Sequence, residues 1–219
     1  MEPETGTGLP NGIPRPLIKV CGLLRSEDVL LCEELGVDWT GFIFHPASPR
    51  NADPKLVAAL PRGKALRVGV FVDQSAEDVC RIMKEARLDL AQLHGRQDQQ
   101  FCAALGRERV IRVFWPQRYA GRELLEQDLQ AFASVCNWFL LDAGTSGGGH
   151  GASLNFRVLH GLNSPRPWLL AGGLGPENIR QALDRCLPDG LDLNSGVEDA
   201  PGKKSGPKLE LALRLARMP

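Results

Sequence analysis

Residues 17–22 read Leu17-Ile18-Lys19-Val20-Cys21-Gly22, a short, largely apolar run that ends on a thiol and stops at glycine. A run of this length and character is what a strand buried on both faces of a parallel sheet requires. Seven more follow: 39–44 (WTGFIF), 66–72 (LRVGVFV), 89–93 (DLAQL), 109–114 (RVIRVF), 137–142 (NWFLLD), 167–171 (PWLLA) and 190–194 (GLDLN). Helical patterns fill the gaps at 27–35, 54–60, 76–86, 97–105, 122–134, 153–160, 177–185 and 207–217. Ser26 is set to start the first of these, with Val29, Leu30, Leu31 and Leu35 facing the sheet and Gly36 ending it. Ser75 caps the third, and Pro176 opens the seventh at a favoured first-turn position. Eight strand-then-helix units without a break in composition predict an α/β chain, a single compact (β/α)₈ TIM barrel over 17–219, preceded by a flexible extension, 1–16.

The 219 residues carry 26 Lys plus Arg against 26 Asp plus Glu, a balance that calls for neither nucleic acid nor an acidic membrane surface. No apolar stretch reaches membrane-spanning length, and residues 1–16 lack a signal peptide's basic-then-apolar layout, so a cytoplasmic protein is expected. The cysteines at 21, 32, 80, 102, 136 and 186 contain no CxxC pair, which argues against zinc; all but Cys21 read as buried thiols. No Asp/His cluster has metal-site spacing and no nucleotide-binding glycine signature appears, so neither metal nor cofactor is expected.

In a βα barrel the carboxyl ends of the strands share one mouth. That collects Cys21-Gly22, Phe44-His45, Gln92-Leu93-His94, Asp142, Gly172-Gly173 and Asn194-Ser195-Gly196. Two readings stand for Cys21: an inert buried thiol, or a base that removes a proton from carbon if its surroundings lower its pKa. Asp142 likewise either caps the next loop or acts as a general acid with a pKa raised by burial. Gly172 and Gly173 after strand seven, with Ser195 and Gly196 after strand eight, offer backbone amides where barrels frequently bind phosphate. The loop Gly147-Gly148-Gly149-His150-Gly151 is either a linker or a segment closing over substrate. Arg50, after strand two, is a surface cation or a fork for a substrate carboxylate. Gln92 and His94 are further substrate-binding candidates.

The motifs Ile18-Lys19-Val20-Cys21-Gly22, Gly41-Phe42-Ile43-Phe44 with Ser48-Pro49-Arg50, Val68-Gly69-Val70-Phe71-Val72, Gln92-Leu93-His94-Gly95, Leu140-Leu141-Asp142, Ala171-Gly172-Gly173-Leu174 and Asn194-Ser195-Gly196-Val197-Glu198 occur in order. Together they resemble the phosphoribosylanthranilate isomerases, from about Leu17 to the last helix. The resemblance implies a cofactor-free Amadori rearrangement of a small phosphosugar. It gives Cys21 the role of base at ribose C2 and Asp142 that of acid at the ring oxygen. It sets Arg50 and Asp192 near the anthranilate end, and Gly148, Gly149, Gly172, Gly173, Ser195 and Gly196 around the phosphate. Such enzymes occur as monomers and homodimers. Two departures stand out: the glycine loop lacks the family's lysine, with His150 nearby, and Ser205 replaces a usual aspartate. A related synthase barrel would want a strand-end lysine as its acid. The histidine-pathway isomerase would want aspartate in place of Cys21, and a binding-only barrel would have no reason to keep Cys21 and Asp142 together.

Overall fold

The computed structural model describes residues 15–144 and 159–218; Gly148, Gly149 and His150 lie outside them, as does all of the 153–160 helix expectation except Leu159 and His160, which form a turn. Eight parallel strands close into a barrel: β1 (Leu17–Val20), β2 (Trp39–Phe44), β3 (Leu66–Phe71), β4 (Leu90–Leu93), β5 (Val110–Phe114), β6 (Trp138–Asp142), β7 (Trp168–Ala171) and β8 (Gly190–Leu193). Helices α1 (Ser26–Glu34), α2 (Pro54–Ala59), α3 (Ala76–Glu85), α4 (Gln99–Leu105), α5 (Arg122–Phe132), α6 (Ile179–Cys186) and α7 (Gly206–Ala216) follow the strands on the outside. A hairpin of β9 (Glu198–Ala200) and β10 (Lys203–Lys204), which the sequence reading did not contain, lies between β8 and α7. No helix among the described residues is long and apolar enough to cross a membrane.

Side chains of successive strand residues point to opposite faces, and two cores result. Trp39, Val68, Leu90, Ile111, Val113, Leu140 and Leu169 fill the barrel. The alternate positions, among them Ile18, Val20, Ala91, Leu93, Phe139, Leu141, Leu191 and Leu193, pack outward against the helices. Arg67 also points outward, fully enclosed. Its guanidinium donates to the carbonyls of Val57, Leu60 and Pro61 at 2.8–2.9 Å and so satisfies the open end of α2.

The seam between first and last strands is in register from Leu17 opposite Gly190 to Val20 opposite Leu193, and the Cys21 amide extends it by donating to the Leu193 carbonyl at 2.8 Å.

Several local expectations need correction. Ser26 is the first residue of α1, not its cap; Arg25 holds the cap position without a side-chain bond. In that helix Leu30 is 54% exposed and Cys32 is buried in its place. Pro176 lies in a turn, and α6 begins three residues later, because the Asn178 carboxamide is used on the Gly175 amide instead of extending the helix backwards. Ser75 does cap α3, accepting from the Asp78 amide at 3.1 Å. Cys80 is exposed, since α3 turns Val79, Ile82 and Met83 inward; all six cysteines are free. Arg15, assigned to the extension, is tied to the barrel by a two-point ion pair with Asp38.

Candidate active site

The alternation that builds the inner core also aims Lys19 and Cys21 (β1), Gln92 and His94 (β4), Asp142 (β6) and Asp192 (β8) inward or toward the mouth. Cys21 is 4% exposed. Burial pushes its thiol above the ordinary range; Lys19 pulls it down, Asp192 pushes it up and Lys204 pulls it down. Gly41 on the neighbouring strand is what makes room for the sulfur, because a β-carbon there would stand 2.8 Å from Sγ.

Asp142 ends β6. Burial raises its carboxyl above the ordinary value, against the Gly144 amide, which donates to Oδ1 at 3.0 Å, and the more distant Arg118. One oxygen receives the loop amide, as the capping reading expected, while Oδ2 faces His94 Nε2 at 3.9 Å. His94 stands edge-on to Trp115, with ring centroids 5.3 Å apart. Burial pulls its pKa down to about 4, so the imidazole is neutral near pH 7. Gln92 is 2% exposed, and its Oε1 has no hydrogen-bond partner among the described residues. A buried acceptor without a partner costs stability. A cavity of about 570 Å³ opens beside His94 over the ends of β3, β4 and β5, with Asp73, Arg96, Trp115 and Arg118 in its wall.

Across the mouth, the turns after β7 and β8 lean on each other. Gly172 and Gly173 have φ of +117° and +67°. Ser195 opens a short 3₁₀ turn, Ser195–Val197, whose first amides have no partner within the turn. A β-carbon on Gly196 would collide with the Leu174 carbonyl, so only glycine lets the two turns meet.

Arg50 crosses directly over Gly22, beside the thiol: a β-carbon on Gly22 would lie 2.6 Å from Arg50 Cδ. Its fork is already engaged, Nε and Nη2 donating to the Glu198 carboxylate at 2.6–3.1 Å and leaving Nη1 outside that pair. Glu198 also receives Lys204 Nζ at 2.8 Å. Burial would push its carboxyl up, but Arg50 and Lys204 hold it below the usual range. Lys19 Nζ meets Asp192 Oδ1 at 2.8 Å inside the barrel. Glu198, Lys204 and Lys19 were missed as site residues. A lysine at an inward position of an otherwise apolar strand was the available signal for the last.

In ring order the site thus runs Asp142 (β6), the Gly172–Gly173 turn (β7), the Ser195–Gly196 turn (β8), Cys21 (β1) and Arg50 (after β2). Residues 18–214 match the family model of N-(5'-phosphoribosyl)anthranilate (PRA) isomerase. The chain belongs to the PRA isomerase family. It is 59% identical over 200 residues to the N-(5'-phosphoribosyl)anthranilate isomerase of Desulfovibrio desulfuricans, covering 91% of this chain and 95% of that one. It is 38% identical to the isomerase of Syntrophus aciditrophicus, over 91% and 86% of the two chains. Among solved structures, the PRA isomerase of Thermus thermophilus superposes with a TM-score of 0.75 at 37% identity, covering 90% of this chain and 96% of that one. A PRA isomerase in complex with reduced 1-(o-carboxyphenylamino)-1-deoxyribulose 5-phosphate superposes with a TM-score of 0.78 at 28% identity, over 92% and 98%. Monomers generated from the dimeric PRA isomerase of Thermotoga maritima superpose with a TM-score of 0.80 at 29% identity over the same shares.

Proposed function

We propose that this chain is a cytoplasmic PRA isomerase of tryptophan biosynthesis, converting N-(5-phosphoribosyl)anthranilate to 1-(2-carboxyphenylamino)-1-deoxyribulose 5-phosphate. The observation that carries the reading is the placing of Asp142 and Cys21 on either side of the two phosphate turns. A phosphate held by the amides of Gly172, Gly173, Ser195 and Gly196 puts the attached ribose between an acid with a raised pKa and a buried thiol. The anthranilate end then points away from β7 and β8, toward Arg50 and the Gln92–His94 side of the mouth.

The chemistry balances between substrate and these two groups. Protonated Asp142 gives its proton to the furanose ring oxygen as the C1–O bond breaks. The anthranilate nitrogen lone pair forms the C1=N bond of a Schiff base. Cys21, as thiolate, removes the proton from C2, and the C2–H electron pair moves toward the iminium to give an enolamine. Tautomerisation, with a proton arriving at C1 as the C2 hydroxyl gives up its own, leaves the C2 ketone. No electrons enter or leave. Positioning on the phosphate supports both proton transfers by holding C2 and the ring oxygen against their partners.

Purified protein should form the ketose product from phosphoribosylanthranilate, and Cys21→Ala and Asp142→Asn should each lower kcat by about 100-fold or more, the scale of a lost acid or base. An inactive wild type would overturn the assignment. Full activity in both variants would overturn the mechanism.

A further inference from the structure

Lys19 has no role in the chemistry above, yet it is the most enclosed cation of the site, with 0% exposure, and it lies two residues from Cys21 on the same face of β1. An ammonium enclosed in this way is costly unless an anion meets it. Asp192 meets it, directly opposite in the β1–β8 register and 2.8 Å away. A simple structural pair would be complete there. Here Cys21 is the next inward residue of the same strand, so ammonium and sulfur lie on one face and the charge of each bears on the other. We propose that Lys19 is a positioning residue for the base: it supplies the counter-charge that lets Cys21 exist as a thiolate, and Asp192 limits that support by holding the ammonium on its other side.

The proposal rests on Cys21 being the base, and it explains how a thiol in a closed barrel can serve as one. The groups around the sulfur are Lys19 on its own strand, Asp192 from β8, Lys204 from β10 and Arg50 from the loop after β2, with Asp142 farther off acting on Asp192. Burial lowers Lys19 on its own account, but Asp192 and Cys21 outweigh it, so the ammonium stays charged. Lys204 is already committed to Glu198 and Asn194. Arg50 is committed to Glu198. That leaves Lys19, held by one carboxylate, as the cation next to the thiol on the inward face of its own strand.

The consequence is a pair of opposite effects. Lys19→Met removes the counter-charge and should raise the thiol's titration midpoint by about one pH unit or more, a tenfold loss of thiolate at any pH below it. Asp192→Asn removes the competing anion and should lower the midpoint. General damage to the fold would not move the two variants in opposite directions. The double variant Lys19→Met/Asp192→Asn leaves no unpaired buried charge, so it remains available if the single lysine variant does not fold, and it too should titrate above wild type. The readout is the ultraviolet absorbance of the thiolate in the free enzyme, taken as the difference between each protein and its Cys21→Ala counterpart, which isolates one thiol of six. Identical midpoints in all backgrounds, or a rise with Asp192→Asn, would overturn the proposal. Because the titration needs no substrate, that failure is distinct from finding Cys21→Ala active, which would remove the base assignment and leave the titration result standing.

Discussion

Gly41→Ala tests the placement of the thiol without touching the thiol. The new methyl would stand 2.8 Å from Cys21 Sγ, 3.0 Å from its Cα and 3.2 Å from its Cβ. Carbon contacts are most favourable at about 3.5–4.0 Å, so the sulfur must withdraw by about 0.7–1.2 Å. The close approach to Cα adds pressure on the backbone just after β1, where the Cys21 amide is anchored on Leu193. A displacement of about 1 Å at a reacting group costs on the order of 100-fold in rate. The turns proposed to hold the phosphate follow β7 and β8, away from the added methyl, so KM should change much less than kcat. Overpacking of this kind also costs about 1–3 kcal/mol, readable as a lower urea midpoint. Steady-state kinetics on phosphoribosylanthranilate, read beside the urea curve, is the assay. A folded Gly41→Ala protein with wild-type kcat would mean that the sulfur's position beside β2 does not matter to the chemistry, and the reasoning would fail.

His94 makes a prediction about pH. Its pKa is pulled down to about 4 by burial, below the ordinary value of about 6.5, so between these limits the unfolded chain takes up a proton that the folded one refuses. Stability from this group is therefore complete above the window and falls as pH drops through it. Urea midpoints should decline less steeply with acid in His94→Asn than in wild type, and equal slopes would contradict the depressed pKa. Glu198→Ala strands Arg50 and the fully enclosed Lys204, and should cost about 3–5 kcal/mol in urea unfolding. A loss no larger than that of a surface substitution would show that the pair is solvated. Gly196→Ala should raise KM through the phosphate, since its methyl cannot fit against the Leu174 carbonyl; unchanged binding of inorganic phosphate in competition experiments would refute that.

The barrel and the gathering of its strand-end residues at one mouth were legible because both follow from periodicity, whereas the roles of those residues came from the family resemblance. Eight short apolar runs have one economical closed arrangement, and the residue ending each run then falls at the mouth, as Cys21 and Asp142 do. What escaped was set by contacts between distant segments. Arg50 was expected to await a carboxylate from substrate, and nothing local announces that Glu198, 148 residues later, already holds two of its nitrogens. Pro176 resembled a helix start because first-turn proline is common; the neighbouring Asn178 spends its carboxamide on a turn, so the helix begins later. The β9–β10 hairpin was too short for any pattern to mark. Cys80 was read as buried although its helix already had enough apolar residues to cover its inner face.

The β1–β8 seam joins the earliest strand of the barrel to the latest, and the Lys19–Asp192 pair lies on it across 173 positions of chain. During synthesis Cys21 emerges with the first strand of the barrel, but its environment cannot form until β8 has left the ribosome. Contacts of such long separation make folding slow, and the partial barrel carries an open strand edge meanwhile. Appearance of activity on a nascent chain would therefore mark completion of the whole barrel, in one late step.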